Sequence, residues 1–331
     1  MQQTYEQRLI SICLPFKNEE SFIEACIESI VNQSYTHWEL LAVDDHSTDN
    51  SPNMVKNYSL QDARIKYVKN EGTGVIEALN TAFRHSSGGL ITRMDGDDIK
   101  TLDNLEAMVE LVAPGVLAIG QVRYFREDGL GDGYARYTEW LNQLTAAHRN
   151  FDEVYKECVV PSPCWLATRA DFIASGGFDS KFYPEDYDLC LRFYKQGLKT
   201  RGTAHVIHDW RDYDTRTTRV SPHYSDNRFL HLKIHYFIET DYDNGKELVL
   251  IGAGKKGKRI AQDLNAHGLS YRWLTSNTNK IGHNIYEVVL EDLKSFKWTT
   301  NQQVIVGLSD VRGQQKVRGI LPDTAQAFWF F

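Results

Sequence analysis

Through its first hundred residues the chain alternates short apolar runs with stretches of helical period. LISICLPF, residues 9–16, is apolar and β-branched and closes on a proline, which predicts a buried strand. Asn18, Glu19, Glu20 and Ser21 then supply cap-type and acidic residues ahead of Phe22, Ile23, Cys26, Ile27 and Ile30, whose spacing is that of one helix face. The alternation repeats: WELLAVDD (38–45) and RIKYVKN (64–70) predict strands, STDNSPNMVKNYS a capped helix, residues 75 to about 86 a further helix, and LITRM (90–94) a fourth strand. Strands alternating with helices predict an α/β fold built on a right-handed, mostly parallel sheet. Between residues 115 and 155 the pattern yields one strand, VLAIGQVRYF, and a Gly- and Tyr-rich stretch without a period, expected to be a loop over the site. After Tyr242 a strand, a glycine turn and a helix begin afresh in ELVLIGAGKKGKRIAQDL, so two domains are expected, residues 1–243 and 244–331.

Composition narrows the classes. With 42% hydrophobic and 24% charged residues and only 8 Pro, the 331-residue chain reads as globular throughout. A net charge of -7 argues against a broad nucleic-acid surface, so no nucleic-acid partner is expected. The five cysteines, Cys13, Cys26, Cys158, Cys164 and Cys190, show no zinc or disulfide spacing and fit free thiols in a reducing compartment. No apolar run reaches the roughly 18 to 20 residues that cross a bilayer, and no signal pattern opens the chain. The expected location is the cytoplasm, with peripheral contact at the inner face of the membrane if the acceptor is lipid-linked.

Candidate chemistry lies where strands end. LITRM runs straight into Asp95, Gly96, Asp97 and Asp98, and WELLAVDD ends in Asp44 and Asp45. Ligands of parallel sheets bind beyond the carboxyl ends of the strands, which places both acidic groups at one site. A nucleotide diphosphate leaves with concentrated negative charge, which a divalent cation held by carboxylate oxygens can stabilise. Asp and Gly are also common turn residues, so the acidic triplet alone is as well read as a solvated turn. The second acidic pair and the carboxylates of FYPEDYDLCLRF favour the metal reading.

Four blocks, SICLPFKNEESFIEACIESIVNQSYTHWELLAVDDHSTD, GTGVIEALNTAF, ITRMDGDD and ATRADFIASGGFDSKFYPEDYDLCLRFYKQG, stand in an order and spacing that resembles the inverting family 2 glycosyltransferases, which have the GT-A fold. The resemblance implies a GT-A type nucleotide-diphospho-sugar transferase domain with a mostly parallel central sheet. It implies that Pro15, Asn18 and Glu19 line the nucleotide pocket, that Asp45 accepts a hydrogen bond from uracil or a similar base, and that Asp44 binds donor or orients the loop. Asp95 and Asp97 become the acids of a DxD motif, with Asp97 the direct ligand of Mn or Mg, and Asp98 touches ribose or donor sugar. Asp186 becomes the general base that takes the acceptor proton, and Glu185 positions the acceptor; the dipole of the helix start is the bland explanation of both acids. His208 is expected over the metal or pyrophosphate, with Arg211 or Arg216 as other phosphate contacts. Trp165 is expected to face the acceptor, with core packing nearly as good a reading. The stretch NEGTGVIEALN lacks the arginine that some members carry.

The glycines Gly252, Gly254 and Gly257 follow a strand and open a helix, the context of a dinucleotide fingerprint, but YRWLTSN ends without the acid that would hold ribose. The tail is similar at its glycine turn to the small Rossmann-like domains of sugar acyltransferases. It is expected to be an accessory Rossmann-like domain for assembly, including homo-oligomers, or for acceptor delivery. The expected function is transfer of a sugar from a nucleotide diphosphate donor, UDP-linked by family habit, to a hydroxyl of a saccharide or lipid-linked acceptor in surface polysaccharide or glycolipid synthesis. A non-catalytic nucleotide-sugar-binding or assembly module is the alternative, and a nicotinamide oxidoreductase has only the C-terminal glycines in its favour.

Overall fold

A computed structural model describes residues 8–126, 132–216, 229–322 and 324–331. The chain divides into two compact units, Met1–Asp152 with Cys158–Pro222, and Glu153–Glu157 with His223–Phe331. The first is built on eight strands: β1 (Ile10–Phe16), β2 (Trp38–Asp44), β3 (Ile65–Lys69), β4 (Leu90–Arg93), β5 (Ile99–Lys100), β6 (Val116–Phe125), β7 (Trp165–Thr168) and β8 (Lys199–Arg211). They lie in the order β3-β2-β1-β4-β7-β6-β8-β5. The β3-β2-β1-β4 block is parallel, as is β6 with β8, whereas β7 runs antiparallel to both neighbours and β5 antiparallel to β8. All seven residues of β2 are buried, as a strand covered on both faces requires.

Helices α1 (Ile23–Val31), α2 (Ser51–Gln61), α3 (Val75–Arg84), α4 (Asn104–Leu111), α5 (Asp132–Ala146), α6 (Arg169–Ala174) and α7 (Glu185–Lys195) connect the strands. α1 buries Ile23, Cys26, Ile27 and Ile30, the stripe visible in its sequence. α5 corrects the expectation of a loop after β6. Its buried residues are Leu141 and Thr145, one turn apart, a stripe too narrow to register as a period.

The second unit is a smaller α/β domain. It comprises α8 (Leu230–Thr240), β9 (Glu247–Ile251), α9 (Lys255–Ala266), β10 (Arg272–Thr275), β11 (Asn284–Ile285), β12 (Val288–Asp292), β13 (Gln302–Val306), α10 (Val311–Arg318) and β14 (Gln326–Trp329). The sheet order is β11-β12-β10-β9-β13-β14, parallel except for the β11–β12 hairpin. Val249, Ile251, Leu274, Val304 and Val306 form its core. α8 belongs to this unit, because Phe237 packs edge-on against Phe328 at 5.0 Å and against Phe330 at 6.0 Å. The division therefore runs ahead of α8, where the sequence reading set it after that helix. Gly252 adopts φ +108°, and a Cβ on Gly257 would stand 1.9 Å from the Gly252 carbonyl oxygen. The glycine turn thus lets α9 press directly onto the end of β9.

Candidate functional site

Because β1, β2, β3 and β4 run parallel, the segments that follow them emerge at one edge of the sheet. Pro15 lies past the last pairing of β1 with β4, Cys13 with Arg93. Asn18 takes φ +57°, a left-handed conformation that asparagine tolerates, and its side-chain oxygen accepts from the Thr48 N–H at 2.7 Å. Asp44 accepts from the Ser47 N–H at 2.8 Å and the Tyr67 hydroxyl at 3.0 Å, so it orients the loop after β2. Asp45 accepts from the Asn70 amide at 2.7 Å and the Gly74 N–H at 2.9 Å, and Lys17 stands 3.4 Å away. Burial pushes its carboxyl up, but the Asn70, Gly74 and Lys17 contacts outweigh that and hold it below its usual range.

The turn after β4 closes through the Asp98 N–H on the Asp95 carbonyl at 3.3 Å. It buries Asp97 and Asp98 and half-buries Asp95, with Glu19 beside them: a Cβ on Gly96 would lie 3.3 Å from Glu19 Cγ. Burial and then its acidic neighbours, Asp97 first, push the Glu19 carboxyl up to about 8. Asp97 rises to about 7, through burial and then Asp98; the Tyr213 hydroxyl at 3.1 Å and Arg216 at 3.9 Å pull the other way. Asp98, with no exposure, also rises to about 7 through burial, against Arg216. It accepts from the Arg211 N–H at 2.9 Å and faces His208 Nε2 at 3.3 Å. Among the described residues, one terminal nitrogen of the buried Arg216 and Nδ1 of His208 have no hydrogen-bond partner. The cluster carries excess negative charge, with the Arg216 guanidinium against Asp97.

Arg93, the last residue of β4, is 9% exposed and grips two carboxylates. Its Nε donates to Asp95 at 2.7 Å and a terminal nitrogen to Glu185 at 3.0 Å. Glu185 opens α7, and its second oxygen is buried without a partner among the described residues. Asp186, next in that first turn, is half-buried and accepts the Tyr187 N–H at 2.7 Å. Burial, then Glu185, push its carboxyl up to about 7, while Arg93 pulls it down. A narrow crevice joins Asp186 to Arg93, Ser162, Trp165 and Cys190.

A family model described as Glycosyl transferase family 2 matches residues 11–175, the span that holds the acidic turn and the sheet edge. These residues form a family 2 glycosyltransferase domain. Over 105 residues the chain is 41% identical to the UDP-Glc:alpha-D-GlcNAc-diphosphoundecaprenol beta-1,3-glucosyltransferase WfgD of Escherichia coli, covering 31% of this chain and 41% of that protein. It is 34% identical over 105 residues to the putative teichuronic acid biosynthesis glycosyltransferase TuaG of Bacillus subtilis, covering 31% and 42%. The chain thus spans less than half the length of these relatives. TarS of S. aureus, solved with UDP-GlcNAc, superposes with a TM-score of 0.53 at 15% identity, covering 78% of this chain and 72% of that one. A mannosyltransferase of Pyrobaculum calidifontis, solved with GDP-Man and Mn2+, gives 0.51 at 24% identity, covering 62% and 57%. Both structural likenesses show the fold alone: a GT-A-related domain.

In the first unit the expected residues Glu19, Asp95, Asp97 and Asp98 form one charge cluster, and Glu185, past the matched span, joins it through Arg93. One expectation changes. Trp165 is 1% exposed, stacked on Phe172 at 5.8 Å and edge-on to Phe193 at 5.3 Å, so its ring is part of the core and offers no open face to a sugar. His208 lies against Asp98 of the acidic turn, because β5 pairs Lys100 with His208 and folds the turn back onto β8. Among the described residues no three His, Cys, Asp or Glu side chains stand as a preformed metal cage. Arg93, Asn70 and Tyr213 are additions. The signal for Arg93 was available: a lone cation inside the apolar run LITRM. Asn70 and Tyr213 carry no such mark.

Proposed function

We propose that this chain transfers one sugar, with inversion, from a nucleotide diphosphate donor to an acceptor hydroxyl. The observation that carries the proposal is the buried Arg93 guanidinium, which ties the acidic turn to the helix start bearing Asp186 across 92 residues of sequence. Asp45, held ionised by Asn70 and Gly74, is suited to accept from the base of the nucleotide, with Asn18, bonded to Thr48, and Pro15, opposite Val43, as further lining. The raised carboxyls of Asp97 and Glu19 fit a site that awaits a cation, since repulsion among them is relieved by positive charge. Mg-type ions are commonly held by one or two carboxylates plus substrate phosphates, so Asp97 and Asp95 would suffice without a protein cage. Bound there, Mn or Mg would neutralise charge on the leaving diphosphate. Arg216, one nitrogen of which has no partner among the described residues, would donate to a phosphate oxygen.

Asp186 would take the proton of the acceptor hydroxyl as that oxygen attacks the sugar carbon, and a base titrating near neutrality suits this task. Glu185 would orient the acceptor through its free oxygen. The name of WfgD, with its UDP-Glc donor and diphosphoundecaprenol acceptor, supports a UDP-sugar and a saccharide or lipid-linked acceptor, and we place the reaction in the cytoplasm at the inner face of the membrane. The second domain would serve assembly or acceptor delivery. A screen of nucleotide sugars for donor hydrolysis and transfer, with and without Mn, tests the proposal. Metal-dependent turnover that vanishes in Asp186→Asn is the expected result. Donor binding without turnover would favour a non-catalytic module instead.

A further inference from the structure

We infer that Arg93 is a positioning residue that fixes the acceptor side of the site relative to the donor side; this rests on the glycosyltransferase reading above. The two acids it holds come from separate elements, Asp95 from the turn after β4 and Glu185 from the first turn of α7. Each contact uses a different nitrogen of one planar group, at 2.7 and 3.0 Å, so the angle between the two carboxylates is set by the guanidinium itself. A guanidinium keeps its charge at any working pH, so both contacts of Arg93 are charge-assisted. Both carboxylates are largely shielded from water as well, with side-chain exposures of 19% and 9%, which keeps the pairing stiff. Asp186 follows Glu185 directly and lines the same crevice as Arg93, so any shift of Glu185 is passed to the base. A lysine offers one point charge and cannot span both acids in this geometry.

The test is a double-mutant cycle in kcat with Arg93→Lys, Glu185→Gln and the double variant, alongside thermal melts and donor KM. An ångström-scale misplacement of a base costs about 100-fold in rate, and each single variant is expected to lose on that order in kcat. The double variant is expected to fall no further than the worse single, because both break one linkage. Glu185→Gln keeps the shape of the side chain and reads the linkage even if Arg93→Lys fails to fold. Wild-type kcat in Glu185→Gln, or losses that multiply in the double variant, overturns the inference while leaving the glycosyltransferase reading intact. Absence of any turnover in the wild-type chain overturns that reading and this inference with it.

Discussion

The two domains present the same local device, a buried parallel strand that ends in a turn and feeds a helix, yet they use it in opposite ways. At the end of β4 the turn is crowded with carboxylates, those of Asp97 and Asp98 pushed up by burial and by their acidic neighbours, and buried polar atoms of Arg216, His208 and Glu185 lack partners among the described residues. At the end of β9 the turn carries no carboxylate, Lys280 donates to its Ala253 carbonyl at 2.6 Å, and Gly257 is required by the approach of α9 to within contact of Gly252. A parallel sheet makes many strand ends, and the end with unrelieved charge is the one poised for chemistry. Shape alone does not separate the two turns; the balance of charge and of hydrogen bonds does.

The sharpest way to break this comparison is to remove the base. Asp186→Asn is expected to lower kcat by roughly 1000-fold while donor affinity, measured by calorimetry with UDP-sugars, stays within a few-fold. Retained turnover would mean that the raised carboxyl at α7 has no part in the reaction. Asp97→Ala is expected to cost about 100-fold and to flatten the dependence of rate on Mn concentration, since charge on the leaving group would lose its counter-charge. Full activity there would demote the acidic turn to the status of the glycine turn.

Acidity gives a third handle. Burial, then Glu185, raise the Asp186 carboxyl to about 7, and the carboxylate is the form that accepts a proton. Activity should therefore be present above about pH 7 and fall about tenfold per unit as the pH drops through that value. A flat profile from pH 5 to 8 would remove Asp186 as the titrating base.

Smaller effects sharpen the contrast. Asn70→Ala removes the amide that holds Asp45 at 2.7 Å and is expected to raise donor KM about 10-fold with kcat little changed. On the other side, Gly257→Ala forces a methyl group against the Gly252 carbonyl, and a loss of about 1–3 kcal/mol in stability of the second domain is expected, read by denaturant melts, with donor turnover unchanged. Lost turnover in a well-folded Gly257→Ala chain would show that the glycine turn has a direct share in the chemistry.

Much of this was legible along the chain because it depends on near neighbours. The strands at 10–16, 38–44, 65–69 and 90–93 and the helices between them follow apolar periods that any short window contains. The acidic turn, the carboxylates that open α7 and the glycines after β9 are likewise contiguous in sequence. Other features have no local signature. That Trp165 is core, that His208 faces Asp98, that α8 packs with the second domain, and that α5 is a helix were all settled by which surfaces meet after folding. The same holds for the pairing of Arg93 with an acid 92 positions away. The order of residues determines what each segment can become and which functional groups it carries. Burial, partners and proton affinity depend on water excluded by distant segments, and only the folded chain brings those segments together.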